Sequence, residues 1–131
     1  GRVGTGAYEF MHDNLHKSVC GIEVIPHRVN VHQEEGREVV AADAEDPVFW
    51  ENVNLKPVNM IMFAIPNSAD ILEIVTQLKS VNYQGKLAGI AKYEDSREKL
   101  LEVGIDVVYN FYQNAGAGFA EQAMKLVEKE N

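Results

Sequence analysis

Cysteine and tryptophan each occur once in this sequence, proline occurs four times, and acidic residues outnumber basic ones twenty to twelve. A single thiol, Cys20, can close no internal disulfide, so no covalent staple holds the fold and a reducing compartment is implied. It lies in the apolar run Ser18-Val19-Cys20-Gly21-Ile22, where a buried, inert thiol is expected. The formal net charge of −8 gives no electrostatic support to a broad phosphate-binding surface, so nucleic acid is excluded as an expected partner. No apolar run approaches the roughly 18 to 20 residues needed to span a bilayer, and the start lacks the basic and apolar regions of a signal peptide. A soluble cytoplasmic domain is expected, with any membrane attachment supplied by a neighbouring segment or subunit.

What is present suits one globular domain over residues 1–131, with 46% hydrophobic and 24% charged residues and enough chain to bury a core without metal. Short β-branched stretches alternate with longer amphipathic ones, the pattern of repeated βαβ units around a parallel sheet. Strands are expected at Val19–Val24, Glu38–Ala42, Met60–Ile65, Lys86–Ala91 and Val107–Tyr109, and helices at Thr5–Leu15, His27–Glu35, Pro47–Asn52, Ala69–Val81, Arg97–Val103 and Gly116–Lys129. The strands are apolar almost throughout, as expected when helices cover both faces of a sheet. Asp46 before Pro47, and Ser68 with Asp70, mark helix starts. Gly36 and Gly104 mark stops. Ile71, Ile74, Val75 and Leu78, and Leu100, Leu101 and Ile105, repeat at helical spacing and are expected to face the core.

The chemistry is carried by Gly1-Arg2-Val3-Gly4-Thr5-Gly6, which runs into the first helical stretch. Glycines at such a turn let a ligand approach the backbone, and a helix N-terminus adds about half a positive charge, so a phosphate is favoured there. As part of a G-x-G-x-x-G fingerprint, Gly1 and Gly4 would be its second and third glycines, and Gly6 would pack the helix against the sheet; a plain tight turn is the alternative. The initial strand of the fold is expected to lie ahead of Gly1. Glu23 closes the next strand nineteen residues beyond Gly4, near the spacing at which an acidic residue binds ribose hydroxyls. A carboxylate there repels a 2′-phosphate and favours adenosine, AMP or NAD over NADP; otherwise it is a solvated strand end. Asp43, after the following strand, is placed either beside the adenine or as a helix cap.

Taken in order, these motifs resemble the potassium-transport nucleotide-binding domain, also called the TrkA-N domain or N-terminal half of the regulator-of-potassium-conductance module. The resemblance rests on Gly1-Arg2-Val3-Gly4, Gly21-Ile22-Glu23 with Pro26-His27-Arg28-Val29, Gly36-Arg37-Glu38-Val39-Val40, Asp43-Ala44-Glu45-Asp46, Ala64-Ile65-Pro66-Asn67, Ile90-Ala91-Lys92 and Glu102-Val103-Gly104-Ile105-Asp106-Val107-Val108. Within it, the stretch from Tyr109 to Gly118 looks like the C-terminal cytosolic domains of glutathione-regulated potassium:proton antiporters. The resemblance implies a Rossmann-type doubly wound three-layer α/β fold. It also implies AMP or NAD/NADH as a regulatory ligand, homodimers, and attachment at the inner membrane to an antiporter or channel portion of the same or an associated chain. Position by position, it places Gly1, Arg2, Val3 and Gly4 around the phosphates, Glu23 at the ribose, Asp43 and Ala44 at the adenine, and Arg28 and Lys92 as further cationic contacts. The family often has arginine where this chain has Lys92, which keeps the charge but loses bidentate phosphate binding.

No enzyme is expected, because 131 residues leave no room for a substrate domain beside a nicotinamide. His12 and His16 stand at i, i+4 spacing, open to metal chelation or to a surface role. Tyr109, Phe111 and Tyr112 suit a packing or dimer surface, or ligand stacking. The competing functions are an NAD-dependent oxidoreductase fragment and a Rossmann-like interaction module that binds nothing.

Overall fold

The computed structural model describes residues 1–15 and 17–130. Its elements run α1 (Arg2–Asn14), β1 (Gly21–Glu23), α2 (Pro26–Glu34), β2 (Val39–Ala41), α3 (Pro47–Asn52), β3 (Met60–Phe63), α4 (Ser68–Ser80), β4 (Lys86–Ala91), α5 (Glu94–Glu102), β5 (Val107–Asn110) and α6 (Phe111–Glu130). The alternation is that of an α/β Rossmann-type fold, and every strand pair is parallel. The strands form a two-stranded sheet, β1-β2, and a three-stranded sheet, β3-β4-β5. The chain divides into two compact units, Gly1–Asn59 with Leu72–Gln84, and Met60–Ile71 with Gly85–Asn131.

In the first unit Gly21 pairs with Val39 and Glu23 with Ala41. A Cβ on Gly21 would come within 3.1 Å of the Val39 side chain, so glycine lets the two strands approach. Helix α2 supplies buried Val29 over this pair, where Val39 is also buried, and Gln33 donates its side-chain amide to the Val39 carbonyl at 2.9 Å. Trp50 of α3 is buried, with its indole N–H on the Ala44 carbonyl at 2.6 Å. Its partner bond satisfies the one polar atom of a large apolar side chain.

In the second unit β4 is the central strand, and Leu87, Gly89 and Ala91 point alternately inward. Asp106 locks the entry to β5, its carboxylate accepting from the Leu87 N–H at 2.9 Å while its own N–H donates to the Leu87 carbonyl at 2.9 Å. Asn110, buried at the end of β5, accepts from the Gln113 N–H and so caps α6, while its side-chain amide donates to Glu94.

Three helices end in the same way. The Gly36 and Arg37 N–H groups bond back to the carbonyls of Gln33 and His32, those of Asn82 and Tyr83 to Lys79 and Leu78, and those of Gly104 and Ile105 to Leu101 and Leu100. This Schellman pattern needs a left-handed residue after the helix, and Gly36, Asn82 and Gly104 have φ of 85°, 61° and 105°. The two glycine stops match expectation; Asn82 went unrecognised because asparagine tolerates that region less visibly than glycine does.

The expected core stripe Ile71, Ile74, Val75 and Leu78 is fully buried, as are Leu100 and Ile105, but Leu101 is exposed on the outer face of α5. Cys20 is a correction: it is exposed, not buried. Partial desolvation of its sulfur and the nearby Glu38 charge push the thiol pKa up, which disfavours the reactive thiolate without concealing it. The strands are not covered on both faces either, since Ile22, Val40, Met60, Met62, Val107 and Tyr109 are exposed. Asp46 caps α3 through the Val48 N–H as expected, but Asn67, not Ser68, caps α4, accepting from the Ala69 N–H at 2.9 Å.

Candidate functional site

The stretch expected to be a glycine-rich turn is largely helix. Gly1 is the N-cap of α1, and the first helical bond runs from the Thr5 N–H to the Gly1 carbonyl at 2.9 Å. Arg2, Val3 and Gly4 therefore form the first turn, and helix geometry leaves their three N–H groups without intrahelical acceptors. No side chain caps them. They therefore present amides at a helix end rather than along a loop. A Cβ at Gly6 would meet nothing within 4 Å, so Gly6 does not pack α1 against a strand among the described residues, which corrects that expectation.

Helix α1 is fastened to the rest of its unit by two polar contacts. The Tyr8 hydroxyl accepts the Glu38 N–H at 2.7 Å, and Glu9 pairs with Arg37 at 2.7 Å. Arg37 also reaches Glu35 at 2.6 Å and the His32 ring nitrogen Nδ1 at 3.0 Å. The Glu9 hydrogen bond, chiefly, raises the guanidinium pKa further.

Between the start of α1 and α2 lies an open cleft of about 550 Å³, lined by Gly1, Arg2, Thr5, Gly6, Glu9, Arg28 and His32. Two arginines thus stand at a helix N-terminus beside the His32 ring, whose Nδ1 accepts from Arg37, and Gly1 leaves open space there. That donor set fits an anion, specifically a phosphate group. Glu23 ends β1 next to this cleft: its Oε1 stands 3.4 Å from Arg28 Nη1, and its Oε2 accepts from the Val24 N–H at 3.0 Å.

Parallel register places Ala41 opposite Glu23, so Asp43 and Ala44 leave β2 at the same carboxyl edge, where open α/β sheets bind ligands. Asp43 caps no helix; its carboxylate accepts from the Glu45 N–H at 2.9 Å within its own turn. The Ala44 carbonyl is taken by Trp50. Lys92 is exposed after β4 in the second unit.

Thr5, Glu9 and His32 line the cleft without having been singled out as nucleotide contacts. His32 was legible, since it stands at i+4 from Arg28 on one helix face. Thr5 and Glu9 were hidden by the expectation that the turn ran to Gly6. Of the histidine pair, His12 lies in α1 and His16 lies outside the described residues; no cluster of three metal-ligating side chains occurs among the described residues. Tyr112 packs against Phe111 and Tyr93, with ring centroids 5.5 and 6.2 Å away.

The TrkA-N domain profile matches residues 1–111. The chain belongs to the TrkA-N domain family. Among solved structures, this TrkA-N domain is similar to the NAD(P)-binding domain of an exopolyphosphatase-related protein from Archaeoglobus fulgidus, at 19% identity and a TM-score of 0.84, over 95% of this chain and 92% of that one. It is also similar to the TrkA-N domain of the inner membrane protein ybaL from Escherichia coli, at 23% identity and a TM-score of 0.81, over 93% and 90%. A third likeness is to the GsuK channel bound to NAD, at 16% identity and a TM-score of 0.68, covering 81% of this chain and 19% of that one. At these identities the likeness concerns the fold. No curated protein matches the chain significantly. No helix among the described residues is long and apolar enough to cross a membrane.

Proposed function

We propose that this TrkA-N domain is a regulatory sensor of an adenine nucleotide, AMP or NAD/NADH, that controls a potassium efflux or antiport system through rearrangement of paired domains. The observation that carries the reading is the cleft at the start of α1, where free backbone amides, Arg2 and Arg28 converge while Glu23 stands beside Arg28. The amides and guanidiniums suit phosphate, and the carboxylate suits ribose hydroxyls. The NAD named for the GsuK channel and the inner-membrane source of the ybaL domain agree with this ligand class and with a transporter partner.

The reading is binding without turnover. Ligand alters function only through unequal affinity for two arrangements of the assembly. A second copy is the partner favoured by α6. Phe119 and Leu126 on that helix are 76% and 68% exposed, and Tyr112, Met124 and Val127 are also exposed. Tyr112, Phe119 and Leu126 recur at seven-residue spacing, the seam of a helix-to-helix contact.

Calorimetric titration with AMP, NAD and NADH, alongside sedimentation with and without ligand, tests both halves. Saturable binding and a ligand-dependent dimer are expected. No heat with any of the three would defeat the sensor reading, and a monomer at all concentrations would defeat the paired-domain mechanism.

A further inference from the structure

A carboxylate at the end of β1 alone would turn away a 2′-phosphate by like charge. Here it does not stand alone. Arg28 Nη1 is 3.4 Å from Glu23 Oε1, and Glu23 Oε2 is held by the Val24 N–H at 3.0 Å. The ion pair is longer than the 2.7–2.9 Å typical of charge-assisted bonds, and the Arg28 side chain is 58% exposed against 20% for Glu23. Arg28 is therefore the more exposed member of a long ion pair, and a surface pair of this kind gives up its partner at little cost.

Its surroundings favour an anion. Arg28 lies in the first turn of α2, which contains no acidic residue and whose N-cap, Ile25, offers no side-chain acceptor, so the positive helix end adds to the guanidinium charge. The cleft it lines also contains Arg2 and His32, and the one acidic lining residue, Glu9, is already engaged by Arg37.

We infer that Arg28 makes the ribose end of this site accept a 2′-phosphate, so that the domain binds 2′-phosphorylated adenine nucleotides as well as 2′-hydroxyl ones. A free ribose hydroxyl bonds to Glu23. A 2′-phosphate draws Arg28 away from Glu23 and pairs with its planar fork, the recognition that a nearby arginine provides at such sites. The inference rests on the adenine-nucleotide reading and replaces the expectation that Glu23 excludes NADP-type ligands.

The test is calorimetric titration of the protein and of Arg28→Gln and Arg28→Lys with 5′-AMP and with adenosine 2′,5′-bisphosphate. The unmodified protein is expected to bind both with Kd values within about tenfold of each other. Arg28→Gln should raise the ratio of bisphosphate to AMP Kd by about tenfold or more, and Arg28→Lys should recover part of that change. Bisphosphate that fails to bind where AMP saturates, or a ratio that stays the same in Arg28→Gln, would overturn the role of Arg28. A failure of AMP itself to bind is a separate result, and it defeats the underlying nucleotide reading.

Discussion

The hydroxyl of Tyr8 accepts the backbone N–H of Glu38 at 2.7 Å, tying the middle of α1 to the entry of β2 thirty residues away. Because α1 has no fully buried residue, this bond and the Glu9–Arg37 pair hold the helix whose N-terminus forms the anion cleft. Tyr8→Phe should lower unfolding free energy by about 0.5 to 1.5 kcal/mol, the net value of one hydrogen bond, measured by urea denaturation. An unchanged midpoint would mean that α1 is held by other contacts.

Glu23→Ala should weaken AMP or NAD binding by about 1 to 3 kcal/mol, the scale of a lost charged hydrogen-bonding partner. Isothermal calorimetry reads this directly. Equal affinity in the variant would remove Glu23 from the ribose role and leave it as a strand-end carboxylate.

Gly104 occupies φ 105° immediately after α5, a conformation that costs any residue with a Cβ. Open space surrounds its missing Cβ, so the effect of Gly104→Ala comes from the backbone alone. A destabilisation of about 1 to 2 kcal/mol is expected, while Asn82→Gly at the equivalent end of α4 should be close to neutral. Thermal unfolding of the two variants tests the contrast.

Cys20 should react slowly with iodoacetamide near neutral pH despite its exposure, because desolvation and then the Glu38 charge raise its pKa above the ordinary 9.0. Glu38→Gln should speed alkylation by removing the second cause. The linkage has a definite sign. The folded state holds the thiol proton more tightly than the unfolded state does, so this contribution is fully present below about pH 9 and is lost as pH rises through the folded pKa. A reaction rate insensitive to Glu38→Gln would sink the electrostatic part of this account.

Much of the fold was legible along the chain. Lys86–Ala91 and Pro47–Asn52 form a strand and a helix with the expected bounds, because a short apolar run and an Asp46-Pro47 start are local signals that depend on no distant partner. The stripe from Ile71 to Leu78 was equally plain, since helical periodicity alone marks which residues are to be buried. At the site, Gly1, Gly4 and Glu23 stood out by their spacing along βα units, while Arg2 and Arg28 entered through the family resemblance.

Other features depended on three-dimensional proximity. Cys20 and Leu101 have apolar neighbours in sequence, but burial depends on which face another element covers, and in both places none does. Arg37 gave no local sign of its partners Glu9, Glu35 and His32, which come from α1 and from the end of α2. The pairing of Glu23 with Arg28 likewise required β1 to end where α2 begins its first turn. Sequence by itself determined the order of strands and helices and the acidic and basic groups available to a nucleotide, because those follow from propensity and spacing. Tertiary structure alone decided that the Arg28 guanidinium stands against the Glu23 carboxylate, because charge acts through distance in space and not through separation along the chain.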